Sequence, residues 1–208
     1  MVVRIKICGI TNEEDALAAA RLGADALGFV FAPSPRQIST ERARDIVRVL
    51  PPLIQTVGVF VDEEPEKVAA TVRYCQLDLV QLHGSESAAY CRQLGRGVIK
   101  AVRLRAHSDL EGLSEYNGAV EALLLDTYAP RTYGGTGLTF DWNLALEAKN
   151  YGRIILAGGL NPENVAAAIS RVRPYAVDAS SGLEQRPRVK DHAKMAGFVE
   201  QVCQATRQ

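Results

Sequence analysis

The sequence Leu123-Leu124-Leu125-Asp126 is a short apolar run that ends abruptly in a carboxylate. A run of this length is typical of a buried strand, and seven similar runs occur elsewhere in the 208 residues. A longer segment with helical periodicity follows each of them. The eight strands are predicted at residues 3–8, 25–31, 54–61, 78–82, 98–104, 121–126, 153–157 and 175–178.

This alternation of strands and helices predicts parallel strands joined by crossover helices. Eight such units in a chain of this length favour a single-domain (β/α)8 TIM barrel, an α/β fold, with residues 1–208 as one domain. The alternative is an open doubly wound sheet with a ligand at its switch point.

The composition limits the partners that the chain can have. Lys+Arg and Asp+Glu both number 24, so the chain lacks the basic excess of a nucleic-acid-binding protein. No apolar stretch is long enough to span a membrane, and no signal peptide is recognisable, so we expect a cytoplasmic protein. A monomer and a homodimer both remain open. The cysteines are too scattered for a disulfide scaffold or a structural zinc site, and they are Cys8, Cys75, Cys91 and Cys203.

The predicted strand ends carry the residues suited to chemistry, because barrel active sites form at the carboxyl ends of the strands. The first strand ends at Cys8, the fourth at His83 and the sixth at Asp126. The last two end in small residues, Gly158-Gly159 and Asp178-Ala179-Ser180-Ser181-Gly182. Loop N–H groups of such segments commonly bind phosphate. The sequence therefore predicts an enzyme that acts on a small phosphorylated substrate.

No cofactor motif accompanies these residues. The stretch Gly134-Gly135-Thr136-Gly137 lacks the spacing of a dinucleotide fingerprint, and there is no P-loop lysine pattern. We therefore expect acid–base chemistry without a cofactor or metal, such as an isomerisation. The same glycines would let backbone N–H groups approach an anion in the long irregular segment that follows Asp126.

Six motifs follow one another along nearly the whole chain. They are Lys6-Ile7-Cys8-Gly9-Ile10-Thr11, Ser34-Pro35-Arg36, Gln81-Leu82-His83-Gly84, Asp126 with Gly134-Gly135-Thr136-Gly137 and Phe140-Asp141-Trp142, Ala157-Gly158-Gly159-Leu160, and Asp178-Ala179-Ser180-Ser181-Gly182-Leu183-Glu184. In this order they resemble the phosphoribosylanthranilate isomerase family. The resemblance implies a (β/α)8 barrel and the conversion of N-(5-phosphoribosyl)anthranilate to 1-(2-carboxyphenylamino)-1-deoxyribulose 5-phosphate. That reaction is a cofactor-free Amadori rearrangement in tryptophan biosynthesis.

The resemblance also implies residue roles. Cys8 is the expected general base and Asp126 the expected general acid, while Arg36 would hold the anthranilate carboxylate with its planar guanidinium. The phosphate would lie at the seventh and eighth loops, and the glycine-rich loop after Asp126 would close over the substrate. The remaining predicted substrate-binding residues are His83, Gly135, Gly158, Gly159, Asp178, Ser180 and Ser181.

Alternatives remain at this point. Another phosphate-binding barrel is one, such as an indole-glycerol-phosphate synthase, whose motifs are not seen, or a histidine-pathway sugar isomerase, which has an aspartate where Cys8 stands. A non-catalytic barrel that binds a phosphorylated metabolite is another, and it predicts loss of the acid–base pair. Among single residues, His83 could be structural and Arg36 could pair with Glu41.

Two local features are also open to test. Thr11 and Glu14 have the spacing of a capping box at the start of the first helix. Before the last helix, the family often has a Pro-Gly-x-Lys-Asp run, whereas this chain has Pro187-Arg188-Val189-Lys190-Asp191. Without that glycine, the sequence does not predict the geometry of the turn.

Overall fold

The computed structural model describes residues 2–95, 97–104, 106–127 and 142–206. Eight parallel strands form a closed barrel in the order of the sequence, with the last strand paired to the first. The predicted (β/α)8 barrel is therefore confirmed, and the open doubly wound sheet is excluded. The strands are β1 Arg4–Cys8, β2 Ala26–Val30, β3 Gln55–Phe60, β4 Leu79–Leu82, β5 Val98–Leu104, β6 Ala122–Thr127, β7 Ile154–Leu156 and β8 Ala176–Ala179.

A helical segment follows each strand and packs on the outside of the barrel. The fifth α-helix is the shortest of those described, with four residues, and it passes directly into a 3-10 turn at Gly112–Tyr116. Within the described ranges, no helix is long and apolar enough to cross a membrane. The helices are α1 Glu13–Leu22, α2 Thr40–Val49, α3 Pro65–Cys75, α4 Ala88–Leu94, α5 Ser108–Glu111, α6 Trp142–Ala148, α7 Val165–Val172 and α8 His192–Thr206.

The strands divide their side chains between two apolar layers, since successive residues point to opposite faces. Outward residues such as Ile7 and Val177 pack against the helices. Inward residues such as Val57, Leu124 and Ile155 fill the barrel interior. The same alternation turns the side chains of Cys8 and other strand-end residues towards the barrel axis.

The first helix begins one residue later than a cap at Thr11 requires, so the predicted Thr11–Glu14 capping box is wrong. Asn12 is the N-cap, and its side chain accepts a hydrogen bond from the Asp15 N–H at 2.8 Å. The Thr11 hydroxyl is engaged elsewhere, because it donates to the carbonyl oxygen of Arg188 at 2.8 Å. A tertiary contact has thus replaced the local one.

The connection between β8 and α8 contains a small antiparallel hairpin that was not predicted. It consists of β9 Glu184–Arg186 and β10 Val189–Lys190. Arg188 lies in the turn with a φ of 76°, at the position where the family often has glycine. A left-handed conformation costs a residue with a Cβ about 1–2 kcal/mol. The Arg188 guanidinium offsets part of that cost by donating to the Gln37 carbonyl oxygen at 2.9 Å.

Candidate active site

Cys8 is the last residue of β1, and its side chain lies at the carboxyl end of the barrel interior. The residue is 8% exposed. Gly28, on the neighbouring strand, leaves space for the thiol, because a Cβ at that position would lie 2.7 Å from the Cys8 Sγ. The pairing of Cys8 with Gly28 in the β1–β2 register creates this close approach.

Two buried lysines face Cys8. Lys6 lies two residues earlier on the same strand face, and its Nζ is 2.9 Å from the Asp178 Oδ2. Lys190 donates from its Nζ to the Cys8 carbonyl oxygen at 2.7 Å. Burial raises the pKa of the Cys8 thiol, and the positive charges of Lys6 and Lys190 only partly oppose that effect. The resting residue is therefore a thiol beside two cations that would stabilise its thiolate.

Arg36 forms a two-point ion pair with Glu184. Its Nε donates to Oε1 at 2.7 Å and its Nη2 to Oε2 at 2.6 Å. Burial opposes ionisation of Glu184, but the hydrogen bonds from Arg36 and the charge of Lys190 outweigh it and lower the Glu184 pKa. Arg36 thus pairs with Glu184 and not with the nearby Glu41. Glu184 occupies the Nε–Nη2 edge, and among the residues that the structure describes none bonds to Nη1.

Asp126 lies near the end of β6 with a half-buried side chain. Its Oδ2 is 3.1 Å from the Nε2 of His83, which follows β4. The other ring nitrogen of His83, Nδ1, is 3.1 Å from the Nε2 of Gln81. If the Gln81 amide nitrogen donates to Nδ1, the His83 proton lies on Nε2 and points at Asp126. The carboxylate therefore has a hydrogen-bond donor that orients it.

The loops after β7 and β8 contain the predicted phosphate-binding residues. Gly158 and Gly159 both have left-handed backbones, with φ values of 84° and 71°, which glycine adopts without strain. Ser180 is half-buried and Ser181 is exposed at the start of a short 3-10 turn. Gly135 lies outside the described residues. The structure thus brings Gly158, Gly159, Ser180 and Ser181 to the same end of the barrel as Cys8.

Asp178 differs from the other residues that were predicted to bind phosphate. It lies within β8, is 7% exposed, and pairs with Lys6 in the β1–β8 register. A buried carboxylate repels an anion, so this geometry separates Asp178 from a phosphate held by the loops above it. Because Asp178 lies beside Cys8, it is placed to contact the part of a substrate that reacts.

A cavity also lies at the opposite end of the barrel. It has a volume of about 480 Å³ and is lined by residues at the strand starts, including Ile5, Gln55, Leu79 and Ile99. Of the candidate site residues described above, only Lys6 also lines it. Cys8, His83 and Asp126 lie instead at the carboxyl end of the barrel.

Comparison with known proteins agrees with this geometry. Residues 5–201 match the family model of N-(5'-phosphoribosyl)anthranilate (PRA) isomerase. The chain belongs to the N-(5'-phosphoribosyl)anthranilate isomerase family. A relative of that name from Geobacter sp. strain M21 is 55% identical over 199 residues, covering 95% of this chain and 97% of the relative.

Solved structures of the isomerase family share the fold. The phosphoribosyl anthranilate isomerase of Thermotoga maritima superposes with a TM-score of 0.90 at 50% identity, covering 98% of this chain and all of the other. A second family structure, in complex with reduced 1-(o-carboxyphenylamino)-1-deoxyribulose 5-phosphate, gives a TM-score of 0.88 at 46% identity with the same coverage.

Several polar residues of this isomerase were missed by sequence reasoning. Lys6 and Gln81 lie within quoted motifs but received no role, and the same is true of Glu184. Lys190 was noted only as part of the turn before the last helix. A signal was available for Lys6 and Gln81, because each stands two residues before a predicted site residue and therefore shares its inward face. No local signal indicated that Glu184 and Lys190 would meet Arg36 and Cys8.

Proposed function

We propose that this isomerase converts N-(5-phosphoribosyl)anthranilate to 1-(2-carboxyphenylamino)-1-deoxyribulose 5-phosphate by an Amadori rearrangement without a cofactor. The observation that carries the proposal is that Cys8, beside Lys6, and Asp126, beside His83, both point into the same end of one barrel. The family structure with the reduced product supports a phosphorylated aminosugar as the ligand.

Asp126 would act in the first step. Its protonated carboxyl donates to the ring oxygen of the ribosylamine while the bond between C1 and that oxygen breaks. The nitrogen lone pair forms the C1=N bond, which gives a protonated Schiff base. The carboxylate that remains accepts the hydrogen bond from His83 Nε2, so the charge that develops on Asp126 is stabilised where it forms.

Cys8 would act in the second step. Its thiolate removes the proton from C2, and the electrons of that C–H bond form a C1=C2 bond and neutralise the iminium nitrogen. The resulting enaminol becomes the ketone when its C2 hydroxyl loses a proton and C1 gains one. Because the resting group is a thiol, ionisation must precede this step, and the charges of Lys6 and Lys190 favour it.

The two anionic ends of the substrate would bind at separate places. The anthranilate carboxylate would accept hydrogen bonds from the Nη1 edge of Arg36, which Glu184 holds in place through the other edge. The phosphate would meet the loops at Gly158-Gly159 and Ser180-Ser181. This separation would stretch the ring-opened sugar between Cys8 and Asp126.

A direct assay tests the function. The purified chain is mixed with N-(5-phosphoribosyl)anthranilate without metal or nucleotide, and the loss of substrate fluorescence is followed beside a sample without protein. We expect a protein-dependent loss and a product that co-elutes with authentic 1-(2-carboxyphenylamino)-1-deoxyribulose 5-phosphate. A rate equal to that of the protein-free sample would refute the proposed function.

Arg36→Ala is expected to raise KM about 10- to 100-fold, the range for a hydrogen bond to a charged group, with a smaller effect on kcat. The same fluorescence assay measures both constants. Arg42→Ala is the matched control, because Arg42 pairs with Glu13 at 2.9 Å on the exposed surface. An Arg36→Ala enzyme with an unaltered KM would remove Arg36 from the binding site.

We also propose that residues 1–208 form one domain and that the protein is cytoplasmic. The first proposal is supported by the packing of α8 against α1 and α7, since this contact joins both ends of the described chain in one core. The second is supported by the four cysteines, all of which are free thiols in the structure.

A further inference from the structure

The floor of the candidate site contains buried polar atoms that lack hydrogen-bond partners. Within the described part of the chain, four buried side-chain atoms have no hydrogen-bond partner. Three of them belong to inward-facing strand residues: the Oε1 of Gln81, the Oδ1 of Asp178, and the Nζ of Lys6, which makes an ion pair with Asp178 but no hydrogen bond. These residues are 3%, 1% and 7% exposed. Water therefore reaches them poorly in the folded barrel.

The three residues lie on the inward faces of their strands, below the residues at the barrel mouth. Each stands two positions before a residue at the barrel mouth: Lys6 before Cys8, Gln81 before His83, and Asp178 before Ser180. Lys6 and Asp178 are also register partners in adjacent strands. The 2.9 Å ion pair between them engages only Oδ2 of Asp178 and leaves Oδ1 without a donor.

A second buried ion pair shows that the lack of hydrogen-bond partners is not common to every buried ion pair of this barrel. Lys100 and Glu86 have side chains that are each 2% exposed, and their charged atoms are 3.0 Å apart. Lys100 also donates to the carbonyl oxygens of Gly84 at 2.7 Å and Ala101 at 3.0 Å. The charged atoms of a buried ion pair in this barrel can thus have further hydrogen-bond partners. An unpartnered buried polar atom is costly, so its retention at a ligand site indicates a ligand group that completes it.

We propose that Lys6, Gln81 and Asp178 form a hydroxyl-binding floor, in which Asp178 Oδ1 accepts a hydrogen bond from the C2 hydroxyl of the ring-opened sugar. This inference rests on the proposed function. Cys8 must touch the hydrogen on C2, and the hydroxyl lies on the same carbon. The hydroxyl therefore comes within reach of the Lys6–Asp178 pair, which adjoins Cys8 on the same inner face.

The pair suits a hydroxyl better than it suits a phosphate. The carboxylate oxygen accepts the hydroxyl proton, while the Lys6 ammonium can donate to the hydroxyl oxygen. Gln81 Oε1 would accept from a further sugar hydroxyl. Asp178 would then contribute to specificity for a 2-hydroxy sugar as well as to binding.

Two ligands test the contact without requiring turnover. One is reduced 1-(o-carboxyphenylamino)-1-deoxyribulose 5-phosphate, which has a hydroxyl on C2, and the other is the same molecule without that hydroxyl. For the unaltered chain, we expect the second ligand to bind about 10- to 100-fold more weakly, as for a hydrogen bond to a charged group. In Asp178→Asn, the ratio of the two dissociation constants should fall to within about threefold, because the charged acceptor is gone.

Glu86→Gln is the matched control, since it neutralises a carboxylate in the other buried ion pair and should keep the ratio of the unaltered chain. If Asp178→Asn does not fold, the double change Lys6→Met with Asp178→Leu replaces both charges by apolar groups and should give the same low ratio. A ratio of the two dissociation constants near one in the unaltered chain, or a ratio unchanged in these variants, would refute the proposed hydroxyl-binding floor. Turnover of N-(5-phosphoribosyl)anthranilate is measured separately, so a chain that turns over without discriminating the ligands contradicts this inference alone.

Discussion

Asp126→Asn is expected to lower kcat by about 10²- to 10⁴-fold, the usual contribution of a positioned general acid. The amide keeps the shape of the carboxyl and can still accept the hydrogen bond from His83 at the 3.1 Å site. It has no proton to give to the ring oxygen as the C1–O bond breaks. The loss should therefore fall on the chemical step and leave ligand binding close to that of the unaltered chain.

Two measurements separate these effects. Steady-state fluorescence gives kcat, and titration with the reduced product gives a dissociation constant that does not depend on chemistry. Asp25→Asn is the control, because Asp25 pairs with Arg4 at 2.6 Å at the amino-terminal end of the barrel. A near-normal kcat in Asp126→Asn would exclude Asp126 as the acid, whereas a parallel loss of ligand binding would indicate a structural role.

Cys8→Ser is the second large effect that we expect, with kcat lowered by about 10²- to 10⁴-fold. A serine hydroxyl occupies nearly the same space, but an alkoxide is far harder to form than a thiolate. Packing should therefore survive while proton removal from C2 fails. Cys91→Ser is a suitable control, since Cys91 is a fully buried cysteine in α4, away from the barrel mouth.

The pH profile identifies the base independently. Burial holds the pKa of the Cys8 thiol above its ordinary value of 9.0, although Lys6 and Lys190 oppose that shift and Asp178 adds to it. Arg36 is the fourth charged group that faces Cys8. The mechanism needs the Cys8 thiolate together with a protonated Asp126, so ionisation of the two groups has opposite effects on kcat/KM of the unaltered chain. In Asp126→Asn only the thiolate requirement remains, and the residual kcat/KM should keep rising as the pH increases to 9.0. A profile of Asp126→Asn that is level across neutral pH, or a near-normal rate in Cys8→Ser, would count against Cys8 as the base.

Much of the site followed from the sequence, because strand periodicity is local information. The apolar runs and their polar ends predicted both the barrel and the end of it at which Cys8, His83 and Asp126 would lie. Period-two alternation also places Lys6 and Gln81 on the inner face. The predicted ends of β5 agree with the structure, at Val98 and Leu104.

The pairing of the charged side chains required the closed barrel. Arg36 meets Glu184 across 148 residues of sequence, and Lys190 meets the Cys8 carbonyl across 182. Thr11 likewise leaves its predicted capping role for Arg188, which is 177 residues away. These contacts could not be predicted locally, since the choice among several possible partners depends on how the strands close.

The sequence by itself determined which residues form strands, which face each side chain takes and which residues stand at the carboxyl ends. The physical reason is that the alternation of apolar and polar residues is written within a few consecutive positions. Only the tertiary structure decided that Glu184 holds Arg36 and that Asp178 keeps one oxygen without a partner. Burial and register set both outcomes, and they arise only when β8 pairs with β1.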